Sequence, residues 1–563
     1  MEVSLCHSHW TRAVLRHGIR VVPRYTFTNL VCCDNYSYQS THYSTTLTSR
    51  PGVTIVQYRD KTSSTSDLIS TAKALHQKCL AQKIPLIIND RLDVAQAVDC
   101  EGVHLGQDDM SIASARALLG PEKIIGATVS SIEEARIAVE QGADYLGIGT
   151  LYATNTKKNT KEIIGVNGIR SILKYLDRAN EASRKVKTVC IGGVNSSNLQ
   201  RVLYQLSAPS SSSPPKAIDG VAVVSAIIGS NAPKDAALHL AHLVATPPPF
   251  APESHSQSDQ TPFSLTTLKQ SFIPAIKAVH EKSPLSHNMT NLVVQNLSAN
   301  IALAIGASPI MSNNGAEAPD LAKLGGGLVI NMGTATPDAL ANHRKAIEAY
   351  NAVGGPIVLD PVGAGATSAR KDALAFLLAS GYFDLIKGNE REIMAVARAS
   401  GFTLEDGTQQ RGVDSGTSLF TTAQKAAIVS RLARRERNIV LMTGAVDVIS
   451  DGSHTLAIAN GHEYLGMVTG SGCSLGTTIS AYLAANKHDK FSAAVAAVLH
   501  YEVAAEVAAK REDVKGPGTF IPAFIDELYH RRMDVVNGRG GWVESVKVEV
   551  VEVAEDASLL KEA

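Results

Sequence analysis

No uninterrupted run of apolar residues in this chain approaches the roughly 20 that a membrane-spanning helix needs. Net charge is also missing: 53 Lys and Arg balance 53 Asp and Glu. No global field therefore favours nucleic acid or an anionic membrane as a partner. Cysteine is sparse and unpatterned. The seven (Cys6, Cys32, Cys33, Cys79, Cys100, Cys190 and Cys473) form no Cys-x-x-Cys and no framework spacing, which points to a reducing compartment and a cytoplasmic protein. Acids are almost absent from the first fifty residues, where only Glu2 and Asp34 stand among several Arg and many Ser and Thr. That composition is shared by mitochondrial transit segments, but the plainer reading of residues 1–50 is an atypical, disordered or mis-assigned N-terminus. Cys6-His7-Ser8-His9 has no second ligand cluster nearby and is set aside as a metal site.

What is present reads as two α/β regions. At 563 residues the chain exceeds one core, and its size predicts roughly two to four domains. From residue 51 to 245, short β-branched runs alternate with amphipathic stretches such as 66–82 and 132–141. The predicted strands are 53–57, 86–89, 102–105, 124–128, 145–149, 188–192 and 221–225. Their repeat argues for a parallel sheet buried on both faces, of the TIM-type β/α barrel kind. Only seven are found where a closed barrel needs eight. Upstream of Pro51 the candidates are 19–22 and 30–33, neither followed by a convincing helix, so the first βα unit is expected to be missing. Residues 207–216 predict a Ser/Pro-rich surface loop, and 246–263 an extended Pro/Ser-rich linker. A second region, 264–563, has strand ends of its own at 329–331, 357–360, 385–387 and 439–443.

The chemistry of the first region sits at its strand ends. Gln57-Tyr58-Arg59-Asp60-Lys61, Asn89-Asp90 and Gly106-Gln107-Asp108-Asp109 close three consecutive strands. Polar residues so placed mark the catalytic rim of a barrel. Asp90 and Asp109 suit Mg²⁺ against a diphosphate, with Arg59 and Lys61 taking its remaining charge. An Asx turn or helix cap is the plain alternative for Asp90 alone. The turns Gly192-Gly193 and Val224-Ser225 expose backbone N–H groups where barrels hold phosphate, and the hydroxyl-rich Thr154-Asn155-Thr156-Lys157-Lys158 forms a second anion site.

Residues 53–228 resemble thiamine-phosphate synthase, meeting in order the pattern Val-Gln-x-Arg-x-Lys, Ile-Asn-Asp, Val-His-x-Gly-Gln-x-Asp, Thr-x-Thr-Lys, Ile-Gly-Gly and Val-Val-Ser. In that family a hydroxymethylpyrimidine diphosphate loses diphosphate, and a thiazole nitrogen attacks the resulting cationic methylene. The resemblance implies that Gln57, Arg59, Lys61 and Asn89 meet the pyrimidine diphosphate, and that Asp90 and Asp109 hold Mg²⁺. It places Thr154, Thr156, Gly193, Val224 and Ser225 around the thiazole phosphate and Lys157 near the diphosphate. Thr128 keeps the hydroxyl of a commoner Ser.

In the second region Gly470-Ser471-Gly472-Cys473 precedes a small-residue helical run. Backbone N–H groups at such a start attract an anion, and a cysteine there is expected to have a lowered pKa. The plain alternative is a small buried packing residue. Asp360 and Glu392 suit Mg²⁺ beside nucleotide phosphates, while Lys387 and Thr443 suit the phosphates of ATP themselves. No Gly-x-x-x-x-Gly-Lys-Ser/Thr occurs, which excludes a P-loop kinase. Residues 266–540 resemble hydroxyethylthiazole kinase, within the ribokinase-like group, through Asn288-Met-Thr-Asn291, Asp360-Pro-Val-Gly363, Lys387-Gly-Asn389 and Gly470-Ser-Gly-Cys473. Cysteine where most of that group has Asp is itself diagnostic. The resemblance gives Met311 and Gly470 to the thiazole and the catalytic position to Cys473. It also implies a homo-oligomer built on trimers, with active sites between subunits. Competing readings are an epimerase or indole-type synthase joined to a sugar or pyrimidine kinase, and a thiazole kinase whose decayed barrel serves a regulatory role.

Overall fold

The computed structural model describes residues 29–33, 52–152, 163–206, 216–251, 264–333, 335–403, 420–553 and 561–562. Eight parallel strands close a barrel in sequential order: β1 Asn29–Cys33, β2 Ile55–Tyr58, β3 Leu86–Asn89, β4 Gly102–Leu105, β5 Ile124–Val129, β6 Tyr145–Ile148, β7 Lys187–Ile191 and β8 Gly220–Val223. The expectation of a missing first unit is corrected at the strand. β1 is one of the two upstream candidates, and it pairs with β2 on one side and β8 on the other. Residues 34–51, and most of the Ser/Pro loop and the linker, lie outside the described residues.

Side chains two apart on a strand share a face. Ile55, Ile87, Ile124, Tyr145, Val189 and Ala222 pack together as one buried cluster, a layer inside the barrel. Two residues further along the same inward faces come Gln57, Asn89, Gly126 and Gly147. The glycines answer a need for room. A Cβ on Gly126 would sit 2.1 Å from the Tyr145 ring, and one on Gly147 would sit 3.1 Å from the His104 ring.

The second region is a nine-stranded sheet ordered β10-β9-β11-β12-β13-β15-β16-β17-β18. Its parallel part comprises β9 Leu285–Met289, β10 Ser308–Ile310, β11 Gly326–Asn331, β12 Ile357–Asp360, β13 Leu385–Asn389 and β15 Ile439–Thr443. The antiparallel edge is β16 Asp447–Ser450, β17 Thr455–Ile458 and β18 Val548–Val550, and a short pair, β14 Phe402–Thr403 with β19 Lys561–Glu562, stands apart. The helix Ser471–Ala485 crosses one sheet face, where a Cβ on Gly476 would sit 3.6 Å from the Lys387 side chain. Behind it runs Lys490–Ala509, long and apolar enough to cross a membrane, but with 78% of its apolar window buried inside the protein. Ala and Val on every side fit it to the centre of an all-round core.

Candidate active sites

On the barrel rim the three polar tips meet. The Gln57 amide, buried at the end of β2, donates to the Asn89 side chain at 2.7 Å. Asp90 takes the left-handed conformation, with φ of 63°, and turns its carboxylate to Lys61 Nζ at 2.8 Å. Asp109 accepts from the Gly106 backbone N–H at 2.7 Å. Burial, and then contact with the Asp90 carboxylate, push the pKa of Asp109 above the usual carboxylate range. Gln107 reaches across to the Thr128 carbonyl at 2.7 Å. On the far side, Gly192 and Gly193 have φ of +109° and +68°. A Cβ on Gly192 would come within 2.5 Å of Thr150, so this turn needs glycine for both conformation and space. Val224 leads directly into the short helix Ser225–Ile228. Thr154, Thr156 and Lys157 lie outside the described residues.

The kinase-like site is a buried chain of contacts at the ends of the central strands. Lys387 Nζ and Asp360 Oδ1 are 2.9 Å apart, with side-chain exposures of 4% and 2%. Asn331 donates to Asp360 Oδ2 at 2.9 Å and to Cys473 Sγ at 3.2 Å, which links the acid to the sulfur. Burial lowers and Asp360 with Cys473 raises the pKa of Lys387, and the net effect is upward. Glu392 closes a capping box on its helix, accepting from Asn389 N at 2.9 Å, and also accepts from Gly363 N at 2.8 Å. Burial and Asp360 nevertheless raise its pKa to about 7. The expectation of a lowered cysteine pKa is corrected here. Burial and then the Asp360 charge push the Cys473 thiol up to about 12. Around this half-buried sulfur those effects exceed what a helix N-terminus supplies.

Comparison with known proteins fits both halves. The thiamine monophosphate synthase family matches residues 29–227, and the hydroxyethylthiazole kinase family matches 276–534. A "Probable thiamine biosynthetic bifunctional enzyme" of Schizosaccharomyces pombe is 43% identical over 510 residues, 89% of this chain and 93% of that protein. This chain belongs to the thiamine biosynthetic bifunctional enzymes. The Saccharomyces cerevisiae bifunctional enzyme is 36% identical, over 85% of this chain and 90% of its own length. A hydroxyethylthiazole kinase of Moorella thermoacetica is 41% identical over 252 residues, 45% of this chain and 90% of that protein. The bifunctional enzyme thus carries a synthase half and a kinase half, both transferases, and kinase membership makes ATP a co-substrate.

Two residues of this bifunctional enzyme had no role assigned from the sequence. His104 points into the synthase barrel, with Nδ1 2.8 Å from the Tyr145 hydroxyl and Nε2 2.8 Å from Thr128 Oγ1. The available signal was an imidazole at an inward position of a four-residue strand. Asn331 joins Asp360 to Cys473 in the kinase half, and it drew notice only as the end of β11. Of the remaining kinase candidates, Met311 follows β10, Thr443 ends β15, and Gly470, with φ of 92°, starts the helix that bears Cys473.

Proposed function

We propose that the kinase half transfers the γ-phosphoryl group of ATP to 4-methyl-5-(2-hydroxyethyl)thiazole. The synthase half then couples that phosphate to hydroxymethylpyrimidine diphosphate, releasing diphosphate and thiamine phosphate. The observation that carries this reading is the presence of two separately assembled polar sites in one chain. A decayed barrel would not retain the Gln57–Asn89, Lys61–Asp90 and Asp90–Asp109 contacts together.

Among the described residues no cluster of three or more His, Cys, Asp and Glu side chains is assembled for a metal. Each site instead presents a pair of acids, which suits Mg²⁺, an ion that keeps water and substrate phosphates as ligands. Asp90 and Asp109 fit it, because their mutual repulsion is what a cation relieves. Asp360 and Glu392 are likewise electrostatic neighbours. Bound there, Mg²⁺ supplies charge neutralisation for phosphate oxygens. On the rim, Lys61 and Arg59 offer cationic groups to the departing diphosphate, whose charge grows in the transition state. Gln57 and Asn89 orient the pyrimidine edge, and the Gly192-Gly193 and Val224-Ser225 turns present N–H groups to the thiazole phosphate.

In the kinase half Lys387 meets nucleotide phosphate, and Thr443 offers its hydroxyl beside it. A thiol with a pKa near 12 is not a thiolate base at rest. Because Asn331 donates to the sulfur, the S–H bond is left to orient the thiazole hydroxyl. Phosphoryl transfer passes through a loose transition state that asks more for positioning than for proton removal. A trimer is the assembly this reading carries. Leu292 and Val293, exposed at 81% and 76% and immediately preceding Val294, which abuts Gly470, offer that assembly an apolar subunit contact beside the site. The test is thiamine phosphate formation by purified protein from the two phosphorylated precursors, with ADP release from ATP and the thiazole alcohol. Failure of either reaction in folded protein would refute its half of the proposal.

A further inference from the structure

A buried arginine of the synthase half finishes a helix of the kinase half. Arg201 lies on the helix Leu199–Gln205, directly behind the Gly192-Gly193 turn, and is 3% exposed. Its guanidinium donates to the carbonyls of Leu378 at 2.5 Å, Ala379 at 2.8 Å and Gly381 at 3.1 Å. These are the terminal carbonyls of the kinase helix Ser368–Ser380, which runs into an extended Gly381. The last carbonyls of a helix have no partner within it, and a planar donor fork can satisfy several at once. The same guanidinium also donates to the Tyr152 hydroxyl at 2.6 Å, with the ring centroid 5.5 Å away.

Tyr152 returns the connection to the rim. Its backbone N–H donates to Gly192 O at 3.2 Å, and Leu151 N–H donates to Ile191 O at 2.9 Å, so the chain after β6 is laid along the end of β7. On its other side, the turn is held by Asn198, whose amide donates to Gly193 O at 3.0 Å just before Arg201's helix begins. Around this link the halves are fastened by aromatic contacts. Phe250 stacks on Tyr382 at 4.6 Å, Tyr204 meets Tyr382 edge-on at 5.5 Å, and Arg437 lies 4.0 Å over the Tyr204 ring.

We propose that Arg201 and Tyr152 are positioning residues through which the docked kinase half sets the shape of the Gly192-Gly193 turn, and hence the synthase's grip on its phosphate-bearing thiazole substrate. The inference deepens the function proposed above and rests on it. Neither residue faces the rim itself, so each acts through the backbone of the turn. The energetic argument is one of over-determination. Removing one partner leaves a buried guanidinium or hydroxyl unsatisfied, and the backbone that it anchors can shift.

The test uses the full chain. Tyr152→Phe keeps the ring and removes only the bond to Arg201, and Arg201→Gln removes the fork. Steady-state synthase kinetics are measured with each substrate varied in turn, alongside kinase kinetics and a thermal melt. Tyr152→Phe is expected to raise KM for the thiazole phosphate by about twofold to thirtyfold, the range of mutations along a coupling path. KM for the pyrimidine diphosphate and the kinase constants should stay at wild-type values. Arg201→Gln should shift the same constant further, if it folds; Tyr152→Phe decides the matter if it does not. An unchanged KM in folded Tyr152→Phe would overturn the inference. So would an equal rise for both substrates with a parallel fall in kinase activity, since that is general destabilisation. Wild-type turnover is the control: without it the proposed reaction fails and takes this inference with it.

Discussion

The two sites solve the handling of phosphate in opposite ways. On the synthase rim the pair Lys61–Asp90 opens to water on its lysine side, with side-chain exposures of 55% and 19%. In the kinase half the pair Lys387–Asp360 is almost fully enclosed. An exposed pair contributes little to stability but remains free to rearrange around a charged ligand. A buried pair is fixed in place, and losing one member strands the other in a low dielectric. The comparison teaches that the rim should respond to mutation in its chemistry alone, whereas the kinase site should respond in both chemistry and fold.

The largest expected effect is at Asp90. Asp90→Ala should lower thiamine phosphate formation by about 10²–10³-fold or more, the scale of losing a group that stabilises developing charge. Thiazole kinase activity should stay close to wild type, and stability should fall by only about 1–2 kcal/mol, the cost of Ala in the left-handed backbone of this position. Loss of both activities in folded protein would break the separation of the sites.

Next comes the contrast of lysines. Lys387→Met should destabilise the protein by about 3–5 kcal/mol, because Asp360 is left buried and unpaired. Lys61→Met should cost under about 1 kcal/mol. Urea denaturation of the two variants measures both, and equal values would erase the proposed difference between the sites.

Cys473 sharpens the comparison further. General bases contribute about 10²–10⁴-fold, and positioning contributes less. With its thiol pushed up to about 12, Cys473→Ala should reduce kcat by about tenfold to a hundredfold, with a smaller change in KM. Cys473→Asp, which restores the carboxylate used elsewhere in the ribokinase-like group, should retain or raise phosphorylation. If Cys473→Ala turned over like wild type, the sulfur would be packing only.

The smallest effect concerns another acid pair in the kinase half. Asp447 accepts from Gly444 N at 2.8 Å, just past Thr443, and forms a buried hydrogen bond with Glu502. Burial, and then the Asp447 charge, hold the pKa of Glu502 well above its ordinary 4.5. The folded protein therefore binds more protons than the unfolded chain above that value, and Glu502's contribution to stability falls as pH rises from about 4.5 toward its folded pKa. Glu502→Gln keeps a donor toward Asp447 without the ionisation. Its melting temperature relative to wild type should climb with pH, and a difference independent of pH would contradict the shared proton.

The sequence was informative where local rules decide the outcome. β-branched runs ending in polar tips located seven barrel strands, and the tips themselves contained the rim acids and bases. β1 was harder to read because Asn29–Cys33 lies in an acid-poor segment with no helical periodicity after it. Its strand character rests on pairing with β2 and β8, which is tertiary information. The Cys473 pKa was misread for a related reason: the helix start is visible in sequence, but the burial of the thiol, and after it the proximity of Asp360 on another strand, are not. Arg201 carries no signal of its role in the sequence. The carbonyls it satisfies are 177 to 180 positions away in the chain.

The central claim is that two independent sites in one chain act in succession. Its most direct test is complementation. Asp90→Ala and Cys473→Ala proteins are supplied, singly and mixed, with ATP, the thiazole alcohol and the pyrimidine diphosphate, and thiamine phosphate is measured. Each variant alone should make little, and the mixture should recover synthesis, because the thiazole phosphate made by one protein is used by the other. A mixture no more productive than its components, with both proteins folded, would contradict the account.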